Sequence, residues 1–105
     1  MPRLRLLKSA RRDLVDIFEY LTEETGNRRT ARRFVSGLRD RCAALARQPA
    51  TLGTPRPEVQ QDLRSFAIGR YVIFFRYAGG AFEVAAILEG HRNLAAVFMQ
   101  NDRMN

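Results

Sequence analysis

The stretch LRSFAIGRYVIFFRY, residues 63–77, carries a strong β-strand pattern. Its two halves are rich in β-branched and aromatic residues, which are enriched in strands. Between the halves, Gly69-Arg70 has the composition of a tight turn. The pattern therefore predicts an antiparallel β-hairpin whose strands cover residues 63–68 and 71–77.

Toward the C-terminus, a pair of glycines extends the same predicted sheet. Gly79-Gly80 separates two apolar stretches, and consecutive glycines reach positive φ without strain, as a hairpin connection requires. The next strand is predicted over residues 82–89. A short helical turn over residues 94–99 is expected before a polar tail.

Toward the N-terminus, the apolar periodicity becomes that of helices. Apolar residues recur at spacings of three and four, which predicts helices over residues 9–25 and 28–48. Ser9 and Asn27 are expected to cap these helices, and Gly26 is expected to end the first. Because the turn between the two helices is short, they should form an antiparallel hairpin.

The remaining segments complete a single predicted domain over residues 1–105. Residues 3–7 alternate briefly and predict a short strand, whereas residues 49–62 contain prolines and no apolar period and predict a loop. The fold class is therefore α+β. A short N-terminal strand precedes an antiparallel helical hairpin, which packs on an antiparallel sheet of three further strands and is followed by the C-terminal helical turn.

The strand predicted over residues 71–77 is apolar on both faces. One face carries Tyr71, Ile73, Phe75 and Tyr77, and the other carries Val72, Phe74 and Arg76. Such a strand needs cover on both sides, and the helical hairpin covers one. The other side is expected to be covered either by the C-terminal segment, with Leu94, Val97 and Phe98, or by another protein.

Composition limits the class of protein. The 105 residues include 18 Lys or Arg and 11 Asp or Glu, which gives a formal net charge of +7. The 46% hydrophobic content is too high for a disordered chain. No apolar run reaches the roughly 20 residues of a membrane helix, and residues 1–5 lack the apolar stretch of a signal peptide. With Cys42 as the single cysteine, no internal disulfide is possible, and the expected compartment is the cytoplasm.

Arginine supplies almost all of the positive charge, since Lys8 is the only lysine. The planar arginine fork suits phosphate and carboxylate, so the charge indicates an acidic partner, unless it reflects a coding bias toward arginine on a solvated surface. Four arginines lie within or at the ends of the predicted strands, where one sheet would gather them into a target-contact site: Arg64, Arg70, Arg76 and Arg92. The alternative is four separate surface arginines.

Enzyme motifs are mostly missing from the sequence. It contains no phosphate-binding glycine loop, metal-ligand cluster or nucleophile elbow, so neither a metal nor a cofactor is expected. The sole histidine, His91, cannot form a zinc site with the distant Cys42. His91 is either a general base that needs a carboxylate or phosphate partner or an incidental surface residue. Cys42 falls on the apolar face of the second helix and is expected in the core.

Three strings, in this order, resemble the RelE/ParE toxin superfamily. The run SARRDLVDI, residues 9–17, resembles the first helix of that family. Residues 63–76 are similar to the ParE signature, in which an arginine-containing strand turns at Gly69-Arg70-Tyr71 into an aromatic strand. The run ILEGHRNL, residues 87–94, resembles the final strand and its exit. The likeness covers nearly the whole chain.

The resemblance implies a ParE-type toxin, one half of a type II toxin–antitoxin module of the kind known for plasmid stabilisation. ParE toxins inhibit DNA gyrase by blocking strand passage and stabilising cleaved DNA, and such a toxin is not itself an enzyme. The resemblance also implies neutralisation by direct binding of a cognate ParD-like antitoxin with a ribbon-helix-helix part, in a toxin–antitoxin hetero-oligomer. An acidic antitoxin would suit the charge of +7.

The alternative that the resemblance implies is a RelE-like, ribosome-dependent mRNA endonuclease, in which Arg64, His91 and Arg92 would be catalytic. Two departures favour ParE. Phe98 stands where RelE-like sequences carry a tyrosine, and Lys8 stands alone where those enzymes have a lysine cluster. A plain nucleic-acid-binding domain is a third hypothesis, although no recognised binding motif accompanies the charge.

Overall fold

The computed structural model describes residues 3–90, which form two helices and one five-stranded sheet. In chain order the elements are β1 (Arg3–Leu6), α1 (Lys8–Thr25), α2 (Arg28–Ala46), β2 (Thr54–Pro55), β3 (Arg64–Ile68), β4 (Tyr71–Ala78) and β5 (Ala81–Glu89). The predicted α+β fold class is confirmed. The helical turn predicted over residues 94–99 lies outside the described residues.

The sheet is mixed. Its strand order is β1-β5-β4-β3-β2, with β1 parallel to β5 and every other neighbouring pair antiparallel. The prediction of residues 49–62 as loop is wrong at Thr54 and Pro55, which pair with Ser65 and Arg64. A two-residue strand leaves no periodic pattern in the sequence, and because Pro55 has no N–H it is suited to the edge of a sheet.

The turn between the helices forms as its residues predict. Gly26 adopts a left-handed conformation, with φ 65°, and its amide donates to the carbonyl of Thr22 at 2.8 Å. Asn27 then caps α2, since its Oδ1 accepts from the amide of Thr30 at 3.1 Å. At the other end α2 stops at Ala46, two residues before the predicted end. The residue before a proline disfavours helical geometry, which explains why the helix does not extend to Gln48.

A bulge interrupts the pairing of β5 with β4. Phe74 pairs with Ala86 and Phe75 pairs with Val84, so Ala85 has no counterpart on β4. On the opposite side of β5, the parallel pairing with β1 also ends at Val84. The backbone of β5 beyond this point therefore needs other hydrogen-bond partners on the β1 side.

Two side chains from the first turns of α1 supply those partners. Ser9 Oγ donates to the carbonyl of Ala85 at 2.6 Å, and Asp13 Oδ2 accepts from the amide of Ile87 at 2.9 Å. The expectation that Ser9 caps α1 is wrong, because the helix begins at Lys8 and Leu7 occupies the cap position without a side-chain hydrogen bond. The polar side chains at the start of α1 therefore bind the backbone of β5 and do not cap their own helix.

The helical hairpin covers one face of the sheet. The buried cluster on this face includes Leu14 and Ile17 of α1 and Leu38 and Cys42 of α2, together with Tyr71, Ile73 and Phe75 of β4 and Phe82, Val84 and Ile87 of β5. The rings of Phe75 and Phe82 stack with centroids 4.4 Å apart, and Tyr77 meets both edge-on. This arrangement of aromatic rings fixes how β4 and β5 face the helices.

The opposite face is also buried. Phe74 and Ala86 are fully buried in a second apolar cluster with Leu63 and Leu88, and Leu7, Val59 and Val72 pack against it. The chain by itself buries this face, so of the two kinds of cover expected from the sequence another protein is not required, and the C-terminal segment lies outside the described residues. Any binding surface for a partner must be sought elsewhere.

Candidate functional site

Arg64, a candidate in the sequence, is engaged within the chain. Its Nε donates to the carbonyl of Leu52 at 2.7 Å, and its Nη2 donates to the carbonyl of Gly53 at 2.9 Å. The hydroxyl of Tyr77 accepts from the amide of Leu52 at 3.1 Å. Arg64 and Tyr77 therefore hold the loop before β2 against the sheet, and the guanidinium of Arg64 is largely used for structure.

Arg76 lies in an ion-pair network on the opposite face of the sheet. Its Nε donates to Glu83 Oε1 at 2.9 Å, and Arg5 Nη1 lies 3.4 Å from Glu83 Oε2. The Glu83 side chain is 9% exposed, whereas the side chains of Arg76 and Arg5 are 39% and 62% exposed. Glu83 is thus a buried carboxylate flanked by two partly exposed arginines.

Arg70 lies apart from both. It is exposed in the β3–β4 turn and lines a groove with residues of α2, while Arg64 and Arg76 lie near the other end of β4 on opposite faces. The described residues thus do not bring Arg64, Arg70 and Arg76 into one cluster. Arg92 and His91 lie outside the described residues.

Among residues 3–90, one arginine-rimmed groove lies between the helices. This hairpin groove has a volume of about 400 Å³ and an apolar floor of Leu14, Val15, Phe18 and Val35, with Ser36 and three arginines, Arg11, Arg32 and Arg39, also lining it. Val15 is 55% exposed, which is a large fraction for an aliphatic side chain. An apolar floor with a positive rim can accept an amphipathic segment that carries carboxylates.

The second groove lies on the other side of α2. This turn groove has a volume of about 420 Å³, and it is lined by Arg33, Phe34, Gly37, Leu38 and Arg41 of α2 and by Ile68, Gly69 and Arg70 at the β3–β4 turn. Phe34 is 41% exposed, and its ring lies 5.6 Å from that of Tyr71. Among residues 3–90, no acidic residue lines either groove.

The sequence interpretation missed the arginines of α2. Arg32 and Arg39 lie seven residues apart on one helix face, and Arg33 and Arg41 lie eight apart on another, so the spacing contained the signal. The strand arginines were predicted as the contact site because they lie within or beside the strongest strand pattern. The helix arginines belong to a helical half in which basic and acidic residues alternate, which is typical of an ordinary solvated face.

Negative charge is concentrated elsewhere on the molecule. Asp13, Asp16 and Glu89 line a cleft between α1 and the end of β5, together with Tyr20 and Tyr71. The acidic cleft and the basic grooves are therefore separate surfaces, and a negatively charged partner is directed toward the arginines of the grooves rather than toward the cleft.

Residues 3–90 contain no group of three or more side chains suited to hold a metal ion. Cys42 is fully buried in the core, and burial raises the pKa of its thiol to about 11, although Arg39 opposes the shift. Such a thiol is a poor nucleophile at neutral pH. Within the same residues, neither helix is long and apolar enough to cross a membrane.

Comparisons with known proteins agree with the fold. The model of the family described as the ParE toxin of type II toxin-antitoxin system, parDE, matches residues 4–94. A solved structure, "Chromosomal ParDE TA system from P. aeruginosa", is similar with a TM-score of 0.72 and 22% sequence identity, over 85% of this chain and 96% of that chain. No curated protein sequence matches. Because the family model covers most of its length, the chain belongs to the ParE toxin family of type II toxin–antitoxin systems.

Proposed function

We propose that this chain is the toxic component of a type II toxin–antitoxin module, that it inhibits DNA gyrase, and that a cognate acidic, ParD-like ribbon-helix-helix antitoxin neutralises it by direct binding. The observation that carries the antitoxin part is the hairpin groove. The similar solved structure is described as a ParDE toxin–antitoxin system, which makes an antitoxin the natural occupant to test.

The chemistry of the hairpin groove suits a helix of an acidic antitoxin. Leu14, Phe18 and Val35 offer an apolar floor to residues spaced three or four apart on one face of that helix. Arg32 and Arg39 are exposed beside the floor, where carboxylates flanking the apolar anchors would meet them. Opposite charge also speeds the encounter of the two partners.

Gyrase inhibition is favoured over RNA cleavage by the state of Arg64. In a RelE-like nuclease basic side chains must be free to contact the scissile phosphate. Here the guanidinium of Arg64 is already bonded to the carbonyls of Leu52 and Gly53, and Arg76 is paired with Glu83. An inhibitor that acts by binding gyrase needs no such free catalytic group.

Two assays on the purified chain test the target. A gyrase supercoiling assay should show loss of supercoiling and accumulation of cleaved DNA as the chain is added. A translating extract should show no new cleavage of messenger RNA. Cleaved transcripts with unaffected supercoiling would show that the chain is a ribosome-dependent nuclease and not a gyrase inhibitor. Inactivity in both assays would contradict the toxic role.

Antitoxin binding is tested by co-expression with each short protein encoded beside this gene, followed by co-purification. Arg32→Glu should weaken the complex at least tenfold, because it places a carboxylate at the rim of the hairpin groove. Arg12→Glu is the matched control, since Arg12 is exposed on α1 and lines neither groove, although the charge change is the same. Equal effects of the two variants would show that general charge, rather than this groove, holds the partner.

A further inference from the structure

The turn groove adjoins an unpaired edge of the sheet. β3 runs from Arg64 to Ile68, and β2 pairs only with its first two residues. Within residues 3–90, no strand pairs with the outer edge of β3 from Phe66 to Ile68. The groove begins at this edge, because Ile68 belongs both to β3 and to the lining of the groove.

An open strand edge offers backbone N–H and C=O groups to another extended chain. Native proteins often protect such an edge with an inward-pointing charge, a proline or a covering loop. Here β3 continues from Phe66 through Ala67 to Ile68, without a charged residue or a proline, and Ala67 is exposed. The edge is therefore suited to accept an added strand.

The side chains beside this edge specify what kind of strand fits. Phe34, Leu38 and Ile68 form an apolar floor on the helix side of the sheet. A strand added to β3 would direct every second side chain toward that floor. The first requirement on the occupant is therefore a run of alternating apolar residues.

Charge supplies the second requirement. Arg33, Arg41 and Arg70 surround the floor, all three are exposed, and none forms an ion pair with another described residue. Three unpaired guanidinium groups favour an occupant that carries carboxylates. The open edge of β3 favours a peptide over a nucleic acid, since its backbone N–H and C=O groups can pair with those of an extended polypeptide chain.

We propose that the turn groove and the free edge of β3 form a peptide-binding site for an extended acidic segment of a partner protein. The segment adds a strand beside Phe66–Ile68, places alternate apolar side chains over Phe34 and Leu38, and brings its carboxylates to Arg41 and Arg70. This site goes beyond the proposed function. It is separate from the hairpin groove and does not depend on whether the chain inhibits gyrase.

The test selects ligands without presupposing the partner. Random twelve-residue peptides displayed on phage are panned against the immobilised chain, and enriched peptides are synthesised for affinity measurement. The expected sequences are rich in Asp and Glu and have apolar residues at every second position. Arg41→Glu/Arg70→Glu should weaken their binding at least tenfold. The control Arg12→Glu/Arg47→Glu changes the net charge equally, at exposed residues outside the turn groove, and should have little effect.

Backbone pairing is tested by N-methylation of a selected peptide. Methyl groups on one set of alternate amides should abolish binding, whereas methyl groups on the other set should be tolerated, because an added strand uses only one of its edges. Hydrogen exchange should also slow at Phe66–Ile68 when the peptide binds.

Three outcomes would overturn the proposal. These are equal binding of the enriched peptides to both double variants, retained affinity in both methylated sets, and panning that yields no acidic enrichment. A fluorescent twelve-nucleotide DNA strand gives the competing result. If Arg41→Glu/Arg70→Glu weakens its binding but the control does not, and no acidic peptide competes, the groove binds nucleic acid instead.

Discussion

The Nε of Arg64 donates to the backbone carbonyl of Leu52 at 2.7 Å. A guanidinium group can bind phosphate, but here the guanidinium of Arg64 holds the loop between α2 and β3 in place. The second bond, from Nη2 to the carbonyl of Gly53, fixes the plane of the guanidinium. The first role of Arg64 is therefore to stabilise the fold, and any role in a reaction comes second.

Arg64→Ala should destabilise the fold by about 2 kcal/mol, because each hydrogen bond from a charged donor is worth roughly 1.5–3 kcal/mol and the site is only partly buried. Urea unfolding followed by circular dichroism measures the difference. Arg70→Ala is the control, and as an exposed substitution it should change the stability by less than about 0.5 kcal/mol. An Arg64→Ala variant of unchanged stability that has lost activity would make Arg64 a functional residue instead.

Gly53→Ala should be severely destabilising. Gly53 has φ 83°, and a Cβ there would lie 2.7 Å from the carbonyl oxygen of Ser65 and 2.8 Å from Cζ of Phe75. Left-handed geometry costs about 1–2 kcal/mol for an L-residue, and overpacking adds roughly 1–3 kcal/mol. Gly79→Ala is the control, since φ is 55° but nothing lies within 4 Å of the added Cβ. Equal losses in thermal unfolding would show that the clash at Gly53 is relieved by movement of the loop.

Glu83→Gln should destabilise the chain by about 1–2 kcal/mol. The substitution leaves Arg5 and Arg76 close together without the carboxylate between them, and truncating one member of a buried ion pair costs more than losing an exposed pair. The control is Glu58→Gln, because Glu58 is 62% exposed and its Oε2 lies 3.6 Å from Arg56 Nη1. The effect at Glu83 should shrink in 1 M salt if repulsion between the arginines is the cause. If the loss of stability in Glu83→Gln is the same in 1 M salt, its cause is altered packing and not repulsion between the arginines.

Cys42 should react slowly with thiol reagents in the native state at pH 8, and rapidly once the chain is unfolded in urea. Its thiol is buried, and the pKa is raised from 9.0 to about 11. The group stabilises the fold fully below pH 9.0, and this contribution declines as the pH rises toward 11, since the unfolded chain loses the proton first. Cys42→Ala should show a smaller loss of stability over this interval. Native labelling as fast as that of a free thiol would contradict the buried position.

Much of the fold was predictable because its signals are local. The aromatic strand β4, the glycines of its hairpin connection and the helical periods of α1 and α2 each depend on residues near one another in the sequence. Gly26 and Asn27 illustrate this, since a left-handed residue and a side-chain cap are properties of one turn. The match to the ParE family covers residues 4–94, which include these stretches.

The binding surfaces were less predictable. Arg64 and Arg70 lie six residues apart in the sequence, but one is bonded to a loop and the other lines a groove. The partners of Arg64 lie eleven and twelve residues away, and those of Ser9 and Asp13 lie more than seventy away. No local pattern indicates which arginines are occupied and which are free.

The sequence by itself determined the succession of strands and helices apart from the two-residue strand β2, since backbone preferences and the period of apolar residues act over a few neighbouring positions. The tertiary structure alone decided the parallel place of β1 beside β5, the burial of both faces of the sheet and the separation of the arginines. Each of these depends on contacts between distant segments, whose packing and hydrogen bonding exist only once the chain has folded.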